Sequence, residues 1–326
     1  MSLTADLSWV WSQYDHQLFL NTVEGPGGDA AVLRLKAPGL PPTTRAIAVS
    51  ADGNARWCAV DPRQGTALVV AEAALNVACA GARPVAIVNC LNFGNPEHPE
   101  VMWQLSEAID GMAEAARALD VPVVGGNVSL YNESGGRDID PTPVVGMVGL
   151  IDELHRRPPG ARLVEGGRIV LLGETGAGAL AGSAWANLRG HTGGRLEPVD
   201  YERHRALLAL VGGLVSDGML AGVHDVSEGG LGVTLAEMAF AGDVGFRVTS
   251  IDGHAQLFSE APSRVVACAT PDQVEEILRR AADAGIPTAL LGGSGGDRLV
   301  VEGLFDLSLD EARSRWLSAV PEAVAP

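Results

Sequence analysis

Short apolar runs alternate along the chain with longer segments rich in alanine, valine and leucine. The short runs have the length and composition of buried strands, and they lie at residues 46–50, 84–91, 121–124, 144–151, 168–172, 264–269, 288–292 and 298–302. The longer segments have helical spacing and predict helices over residues 65–82, 99–119, 201–216, 231–241, 271–284 and 309–319. Because strands and helices alternate in both halves, the pattern predicts an α+β (mixed α/β) layered fold.

One segment interrupts this alternation near the middle of the chain. Residues 155–160 read His-Arg-Arg-Pro-Pro-Gly, which is charged and rich in proline. Consecutive prolines prevent a regular helix, so we interpret the segment as a linker. A chain of 326 residues is also long for a single core. We therefore expect a sheet domain over residues 1–155 and a second α+β domain over residues 156–326.

Composition narrows the possible partners. The chain is 47% hydrophobic and carries 40 acidic against 23 basic residues, a formal net charge of -17. Such a surface repels nucleic acid and anionic membranes, so we expect neither as a partner. Its four cysteines lack CxxC spacing, and the apolar runs are shorter than a membrane span. These features favour a cytoplasmic protein with free thiols, in which local groups and Mg²⁺ hold any phosphorylated ligand.

Polar residues cluster directly after one predicted strand. The stretch Val121–Glu133 runs from apolar residues into two glycines and then to Asn127 and Ser129. Glycines let a backbone approach a ligand closely, and amide and hydroxyl groups beyond a strand end can hold phosphate or metal. A tight turn, in which Asn and Ser satisfy the local backbone, fits the same residues. The residues alone leave both readings open.

Two further groups combine carboxylates with polar neighbours. Glu72 and Asn76 are four residues apart on an otherwise apolar predicted helix, so they share one face. Carboxylate and amide oxygens suit Mg²⁺, although an exposed polar stripe is the alternative. The turn predicted over residues 224–230 contains Asp225, a candidate metal ligand, and Ser227, which could instead cap the next helix. A lone histidine such as His224 is more often structural than catalytic.

Other polar positions are less specific. Asn89 follows a predicted strand, and Asp29 ends a glycine-rich turn where it could simply serve the backbone. The glycine-rich stretches 173–182 and 292–296 lack the GK[ST] of a phosphate-binding loop. The sequence shows no nucleophilic triad and no evident acid–base pair, so catalytic residues stay unknown.

Several motifs occur in an order that resembles one enzyme family. The most specific are Leu91–Pro96 (Leu-Asn-Phe-Gly-Asn-Pro) and Gly126–Asn132 (Gly-Asn-Val-Ser-Leu-Tyr-Asn), preceded by Gln13-Tyr-Asp15 and followed by the motif over residues 224–230. From about residue 9 to residue 320, the chain resembles the C-terminal half of the small form of phosphoribosylformylglycinamidine synthase. That family belongs to the superfamily of aminoimidazole ribonucleotide synthetase.

The resemblance implies an activity, cofactors and partners. The complete enzyme is a carbon–nitrogen ligase that uses ATP and Mg²⁺ to phosphorylate the amide oxygen of formylglycinamide ribonucleotide, and ammonia then displaces phosphate. The implied partners are an N-terminal synthetase half, a glutaminase subunit that supplies ammonia from glutamine, and a small accessory subunit. The sheet domains of the two halves are expected to pair into a barrel-like core with nucleotide sites at their interface.

The resemblance also implies site residues. Asn89 and Gly126 correspond to positions that contact ATP, Asn127 to a position that holds Mg²⁺, and Ser129 to one that contacts the substrate. Asn89 stands where the family commonly has Asp, which removes one charge from that contact. The expected Mg²⁺ ligands of a second, auxiliary nucleotide site are Asp29, Glu72, Asn76 and Asp225.

The histidine-bearing motifs of the family's first half do not occur in this sequence. We therefore expect the catalytic residues in a separate N-terminal half, and we expect the isolated chain to be inactive and to self-associate through its sheet domain. Two alternatives remain: a kinase-like homodimer of the same superfamily, and a noncatalytic half whose nucleotide is structural.

Overall fold

Two large β-sheets, a small two-stranded sheet and the helices that cover the large sheets make up the part of the chain described by the computed structural model, residues 4–175 and 178–325. Gly176 and Ala177, in the glycine-rich stretch noted above, lie outside the described residues. The strands are β1 Thr22–Glu24, β2 Ala31–Arg34, β3 Ala46–Asp52, β4 Arg83–Asn92, β5 Val123–Ser129, β6 Glu133–Ser134, β7 Arg137–Asp138, β8 Thr142–Ile151, β9 Arg168–Leu172, β10 Gly222–Asp225, β11 Phe246–Val248, β12 Val265–Ala269, β13 Thr288–Ser294, β14 Arg298–Val301 and β15 Phe305–Ser308. The helices are α1 Ser8–Trp11, α2 Ala55–Val60, α3 Pro62–Cys79, α4 Pro99–Leu119, α5 Ala184–Leu188, α6 Tyr201–Ser216, α7 Gly230–Gly242, α8 His254–Phe258, α9 Val274–Asp283 and α10 Leu309–Ala323.

The first sheet has six strands in the order β1-β2-β3-β8-β4-β5, with only β4 and β5 parallel among its pairs. Helices α3 and α4 cover one face and bury its apolar side chains. Asp61 begins α3 by accepting a hydrogen bond from the Gln64 amide, and Pro62 takes the first helical position. Nearly every residue of α3 is buried, because the helix lies between this sheet and α6 of the second domain.

The opposite face of the first sheet carries no covering element among the described residues. Strand β8 alternates between fully buried and half-buried positions, so every second residue points away from the helices. We call this surface the open face; it is formed by Ile47, Val49, Val88, Val144, Val148 and Leu150. Val88 retains 43% of its exposed surface. The open face is therefore apolar and partly in contact with solvent.

The second sheet is covered on both faces. Its seven strands have the order β10-β12-β9-β13-β11-β14-β15. Helices α7, α8 and α10 pack on one side, and α6 and α9 pack on the other. All five residues of β12 are buried, which explains why this strand has a continuous apolar run rather than an alternating pattern. Leu75 and Cys79 of α3 belong to the same cluster as α6, and this packing joins the two domains.

The predicted α+β fold is confirmed, and most predicted elements occur within a few residues of their predicted ends. Three local predictions were wrong. Strand β5 continues through the two glycines to Ser129, because β4 pairs with it along this length. His224 and Asp225 lie in β10 rather than in a turn, since β12 pairs with them. Helix α9 begins at Val274 rather than Pro271, which lies in a preceding turn.

None of the helices in the described residues has both the length and the apolar character needed to cross a membrane.

Candidate functional site

A cavity of about 660 Å³ lies where the two domains meet. Asp29, Glu72, Asn76 and Asp225 all line it, so the structure brings together the four residues predicted for the auxiliary site. The first domain contributes the turn at Gly27–Asp29, the end of β3 and the middle of α3. The second domain contributes the end of β10, the loop after it, two residues of α7, Ala161 and Trp316 of α10. Residues far apart in the sequence thus form one acidic site.

The wall from the first domain is held by hydrogen bonds around Asp52. The Asn76 amide donates to one Asp52 carboxylate oxygen at 2.8 Å, and the Ser50 hydroxyl donates to the other at 2.9 Å. Ser50 is also 3.1 Å from the Ala73 carbonyl oxygen of α3. These contacts fix α3 against the end of β3, and they orient Glu72 and Asn76 towards the cavity.

On the wall from the second domain, His224 lies between three carboxylates. Asp225 and Glu237 belong to the same domain, and Asp29 belongs to the first. Its Nδ1 is 2.5 Å from an Asp29 oxygen and 3.5 Å from an Asp225 oxygen, and its Nε2 is 3.2 Å from Glu237. Burial opposes protonation of the ring, but the nearby carboxylates, Asp29 foremost, outweigh it and raise the pKa of His224 well above its ordinary value. His224 therefore forms ion pairs with the carboxylates of the cavity, a role that the sequence did not indicate.

Burial of several carboxylates in one cavity shifts their proton affinities strongly. Loss of solvent raises the pKa of Asp52 to about 7 and that of Asp225 to about 8, and the charge of Asp29 adds to both shifts. The pKa of Glu72 is raised well above its ordinary value by burial first and then by Asp52 and Asp225. Carboxylates held this close favour either protons or bound cations.

The cavity residues fit a hard divalent cation. The side-chain oxygens Asn76 Oδ1 and Asp29 Oδ1 are buried and have no hydrogen-bond partner among the described residues. Carboxylate and amide oxygens are the donors that Mg²⁺ and Ca²⁺ accept in proteins. A bound cation would satisfy these orphaned oxygens and offset the repulsion between the carboxylates. The donor set therefore matches Mg²⁺ without further assumption.

Sequence reasoning missed three carboxylates of the cavity, Asp52, Glu228 and Glu237. Asp52 lies beside Gly53-Asn54 after an alternating strand, and this arrangement of polar groups at a strand end could have indicated it. Glu228 gave no such signal, because its environment comes from the other domain. Arg56 of α2 is 2.9 Å from Glu228, and Asn54 donates to the same oxygen at 3.4 Å.

A buried glutamate reinforces the contact between the domains near the cavity. Glu260 accepts hydrogen bonds from the backbone amides of Ala184 and Gly229 at 2.8 and 2.7 Å, and from the Trp57 indole at 3.0 Å. Its side chain is only 2% exposed. Gly229 precedes α7 and adopts a left-handed backbone with no side-chain cap, so the alternative in which Ser227 caps this helix was wrong. Glu260 thus fixes the loop that follows Asp225.

The other predicted site residues lie further along the same end of the first sheet. Asp52, Val145, Asn89 and Gly126 occupy one row across four strands. Two strand spacings, about 10 Å, therefore separate Asn89 from Asp52. Asn89 faces the helices, where its amide is 3.4 Å from the Met112 sulfur. A Cβ at Gly126 would lie 2.2 Å from the Asn89 oxygen, so any other residue at this position would displace the Asn89 amide.

Asn127 and Ser129 follow on the same edge strand, β5. Side chains alternate along a strand, so Asn127 points to the open face, opposite to Asn89, and its amide is 3.7 Å from the Cys90 sulfur. The Ser129 hydroxyl donates to Asn132 Oδ1 at 3.3 Å, and the Asn132 NH₂ group donates to the Phe93 carbonyl oxygen. Asn89 and Gly126 are thus neighbours on the side of the sheet covered by helices. The Asn127 side chain lies on the opposite side, at the open face.

Comparison with known proteins defines the class. The profile of the AIR synthase related protein N-terminal domain matches residues 27–151, and the profile of the corresponding C-terminal domain matches residues 164–301. Together they include most of both large sheets and most of the acidic cavity between them, and the chain belongs to the AIR synthase related family. Within that family it is a PurL-like protein, similar to the synthetase subunit of phosphoribosylformylglycinamidine synthase.

Curated relatives show how much of such a subunit the chain represents. PurL of Moorella thermoacetica is 43% identical over 329 residues, which cover 98% of this chain and 44% of that protein. PurL of Thermomicrobium roseum is 44% identical over 323 residues, covering 96% and 43% respectively. The chain therefore spans less than half the length of these relatives.

Solved structures share the fold. PurL of Thermotoga maritima complexed with FGAR superimposes with a TM-score of 0.65 at 19% identity, covering 82% of this chain and 46% of that one. The same protein complexed with ADP gives a TM-score of 0.66 at 19% identity, covering 88% and 46%. The hydrogenase maturation protein HypE, solved in complex with ATP, gives 0.59 at 19% identity, covering 85% and 86%.

Proposed function

We propose that this chain is the C-terminal half of an ATP-dependent carbon–nitrogen ligase that converts formylglycinamide ribonucleotide, ammonia and ATP to the amidine in purine biosynthesis. The observation that carries the proposal is the acidic cavity, in which the closely placed carboxylates favour protons or bound cations and Asn76 Oδ1 has no hydrogen-bond partner among the described residues. The similarity to PurL proteins along nearly the whole chain supports it. We keep the expectation of a cytoplasmic protein as part of this proposal.

The cavity residues divide the work of holding a nucleotide. Asp29, Glu72, Asn76 and Asp225 would hold Mg²⁺, and Asp52 and Glu228 would add charge around it. Bound Mg²⁺ would neutralise and bridge the phosphate oxygens of ATP or ADP. The glycines at positions 27 and 28 also line the cavity and let the backbone approach a phosphate. The second group, with Asn89, Gly126, Asn127 and Ser129, would serve ATP and substrate at the interface with the N-terminal half.

Calorimetry with ADP and Mg²⁺ tests the acidic cavity as a nucleotide site. We expect the isolated chain to bind, and we expect Asp225→Asn to weaken binding about tenfold or more, because a charged ligand of the cation is lost. Asn127→Ala is the matched control, since Asn127 belongs to the second group and lies outside the cavity lining. Loss of binding in the Asn127 variant with full retention in the Asp225 variant would place the nucleotide elsewhere.

The same preparation also distinguishes a half-enzyme from the alternatives. With ATP, Mg²⁺, substrate and ammonium, the isolated chain should release no ADP above background, whereas addition of an N-terminal synthetase half should restore turnover. Robust turnover by the chain alone would contradict the half-enzyme and favour the kinase-like homodimer. Binding without turnover under every combination would favour a structural nucleotide.

The open face is proposed to meet the sheet domain of the N-terminal half. Its side chains are apolar and unpaired by any described element, and such a patch seldom stays solvated. A glutaminase subunit and a small accessory subunit would complete the assembly. A solved structure of PurLQS from Thermotoga maritima shares the fold, with a TM-score of 0.63.

In the absence of that half, we expect the isolated chain to self-associate through the open face at high micromolar concentration. Val88→Asp places a charge in the middle of this face and should shift the chain to monomer by light scattering. Leu188→Asp is the matched control, because Leu188 is 77% exposed in the second domain. Circular dichroism verifies that both variants fold. A parent chain that stays monomeric, or an equal effect of the Leu188 variant, would exclude the open face as the interface.

A further inference from the structure

One donor in the acidic cavity differs chemically from the rest, the imidazole of His224. We propose that Asp29, His224 and Asp225 form a subsite for a divalent transition metal such as Mn²⁺, with His224 Nδ1 as a direct ligand. We call it the imidazole subsite. It lies beside the oxygen donors Asn76 and Glu72, which suit Mg²⁺. This inference rests on the proposed function, because it assigns the metals that the nucleotide cavity takes.

The geometry of the three side chains supports coordination. One ligand atom from each lies within 4.8 Å of the other two. Metal–ligand bonds of about 2.1 Å at right angles place adjacent ligand atoms about 3 Å apart. The observed separations from His224 Nδ1, 2.5 Å to Asp29 and 3.5 Å to Asp225, lie on either side of that value. Small side-chain movements would therefore admit an ion.

The buried atoms of the subsite lack better partners. Asp29 Oδ1 and His224 Nδ1 form an ion pair at 2.5 Å, and Asp225 lies 3.5 Å from the same nitrogen, but neither Asp29 Oδ1 nor His224 Nδ1 makes a well-oriented hydrogen bond among the described residues. The Asp29 side chain is only 5% exposed and that of Asp225 only 4%. Buried polar atoms without partners are costly, so this arrangement favours a ligand that contacts both.

Glu237 prepares His224 for this role. Its carboxylate accepts from Nε2, 3.2 Å away, so a metal that displaced the Nδ1 proton would leave the ring as the tautomer with its proton on Nε2. That tautomer leaves the Nδ1 lone pair directed at Asp29 and Asp225. A carboxylate behind a metal-binding histidine is the usual supporting arrangement in protein metal sites. Imidazole nitrogen favours transition metals over Mg²⁺, whereas carboxylate and amide oxygens alone do not.

Pulsed electron paramagnetic resonance of the full chain with stoichiometric Mn²⁺ tests the subsite. We expect nitrogen-14 coupling from a directly bound imidazole. His224→Asn places an oxygen near the Nδ1 position, so it should keep an ion but lose the nitrogen coupling and reduce the preference for Mn²⁺ over Mg²⁺ about tenfold. Bound Mn²⁺ without nitrogen coupling in the parent chain, or no Mn²⁺ binding at all, would overturn the proposal.

A second variant separates a ligand from a charge partner. Glu237→Gln weakens the support for Nδ1 and should reduce Mn²⁺ affinity about 10- to 100-fold. Glu302→Gln, an exposed carboxylate paired with Arg247, is the control and should change nothing. Unchanged affinity and unchanged Mn²⁺/Mg²⁺ preference in the His224 and Glu237 variants would show that His224 only neutralises charge, and so refute the proposal.

Titration of ADP in Mg²⁺ alone distinguishes this inference from the proposed function. ADP binding in Mg²⁺ with no nitrogen coupling from Mn²⁺ overturns the imidazole subsite and leaves the nucleotide cavity standing. Nitrogen coupling without ADP binding in any metal supports the subsite as a metal site and overturns the nucleotide assignment.

Discussion

In metal-free buffer, the free energy of unfolding should fall steadily as the pH rises from 5 to 8. Burial raises the pKa of Asp52 to about 7 and that of Asp225 to about 8, whereas both side chains ionise near 3.8 when unfolded. Between these values the folded chain binds more protons than the unfolded chain, so stability decreases with rising pH. Each additional proton retained by the folded state corresponds to about 1.4 kcal/mol per pH unit. Urea denaturation in EDTA at several pH values measures the slope.

Glu72→Gln should reduce this slope and stabilise the metal-free protein at pH 8. Glu72 is partly buried on α3 at the cavity wall, and its pKa is raised well above the ordinary value by burial and by Asp52 and Asp225. A neutral amide of the same shape removes the cost of burying a carboxyl near other acids. Glu153→Gln, on an exposed side chain, is the control. Stability that rises from pH 5 to 8 in EDTA, or a Glu72 variant less stable than the parent at pH 8, would contradict the prediction.

Cations should reverse the dependence on pH. Metal binding requires deprotonated carboxylates, so saturating Mg²⁺ with ADP stabilises the folded chain more at pH 8 than at pH 5. The variant Glu72→Gln should lose most of this gain, because it removes one charged ligand. Higher stability without metal and weaker binding with metal are opposite effects of one substitution. That combination identifies a binding site, whereas a carboxylate that serves only the fold would be destabilising in both buffers when replaced.

The sequence predicted one side of the cavity well. Glu72 and Asn76 share a helix face by spacing alone, and α3 places both in the cavity as that spacing requires. The polar segment before α7 indicated Asp225 as a candidate metal ligand, whereas Asp29 came only from the family resemblance. Glu228 escaped detection, because its role depends on Arg56 and Asn54 in the other domain. Contacts across about 170 residues of sequence leave no local pattern.

The strand ends show a second limit of sequence reasoning. The glycines at 125 and 126 predicted that the strand stops, yet pairing with β4 carries β5 through to Ser129. Tertiary pairing overrides the low strand propensity of glycine. The consequence matters for the site, because alternation then places Asn127 on the open face and Gly126 beside Asn89. A turn at the same residues would have allowed all of these groups to converge.

The open face and the acidic cavity would have different requirements in the proposed assembly. Asn127 points to the open face, so a sheet that covers this face would also cover Asn127. The acidic cavity lies instead between the chain's own two domains. The isolated chain should therefore form the cavity site completely, whereas the Asn127 group needs the second sheet.

Replacing Glu260 with alanine is expected to be the most destabilising single change considered. Two backbone amides and the Trp57 indole donate to this carboxylate, and all three donors would lose their partner in a buried location. Removal of one member of a buried, hydrogen-bonded charged network costs about 3–5 kcal/mol. Urea denaturation followed by tryptophan fluorescence and circular dichroism measures the loss. ADP affinity should fall as well, because Glu260 holds the loop between Asp225 and α7.

Glu260→Gln separates the contributions of that network. The glutamine oxygen can still accept from Ala184 and Gly229, which share one oxygen of Glu260, whereas its NH₂ group would face the Trp57 indole donor. We expect an intermediate loss of about 1–3 kcal/mol, since one buried donor is left unsatisfied. Burial raises the pKa of Glu260, whereas the backbone amides of Ala184 and Gly229 and the charge of Arg56 lower it. The ionised carboxylate is therefore stabilised by these groups in place of water. If both variants lost less than about 1 kcal/mol, Glu260 would not join the domains, and the cavity would depend on α3 packing alone.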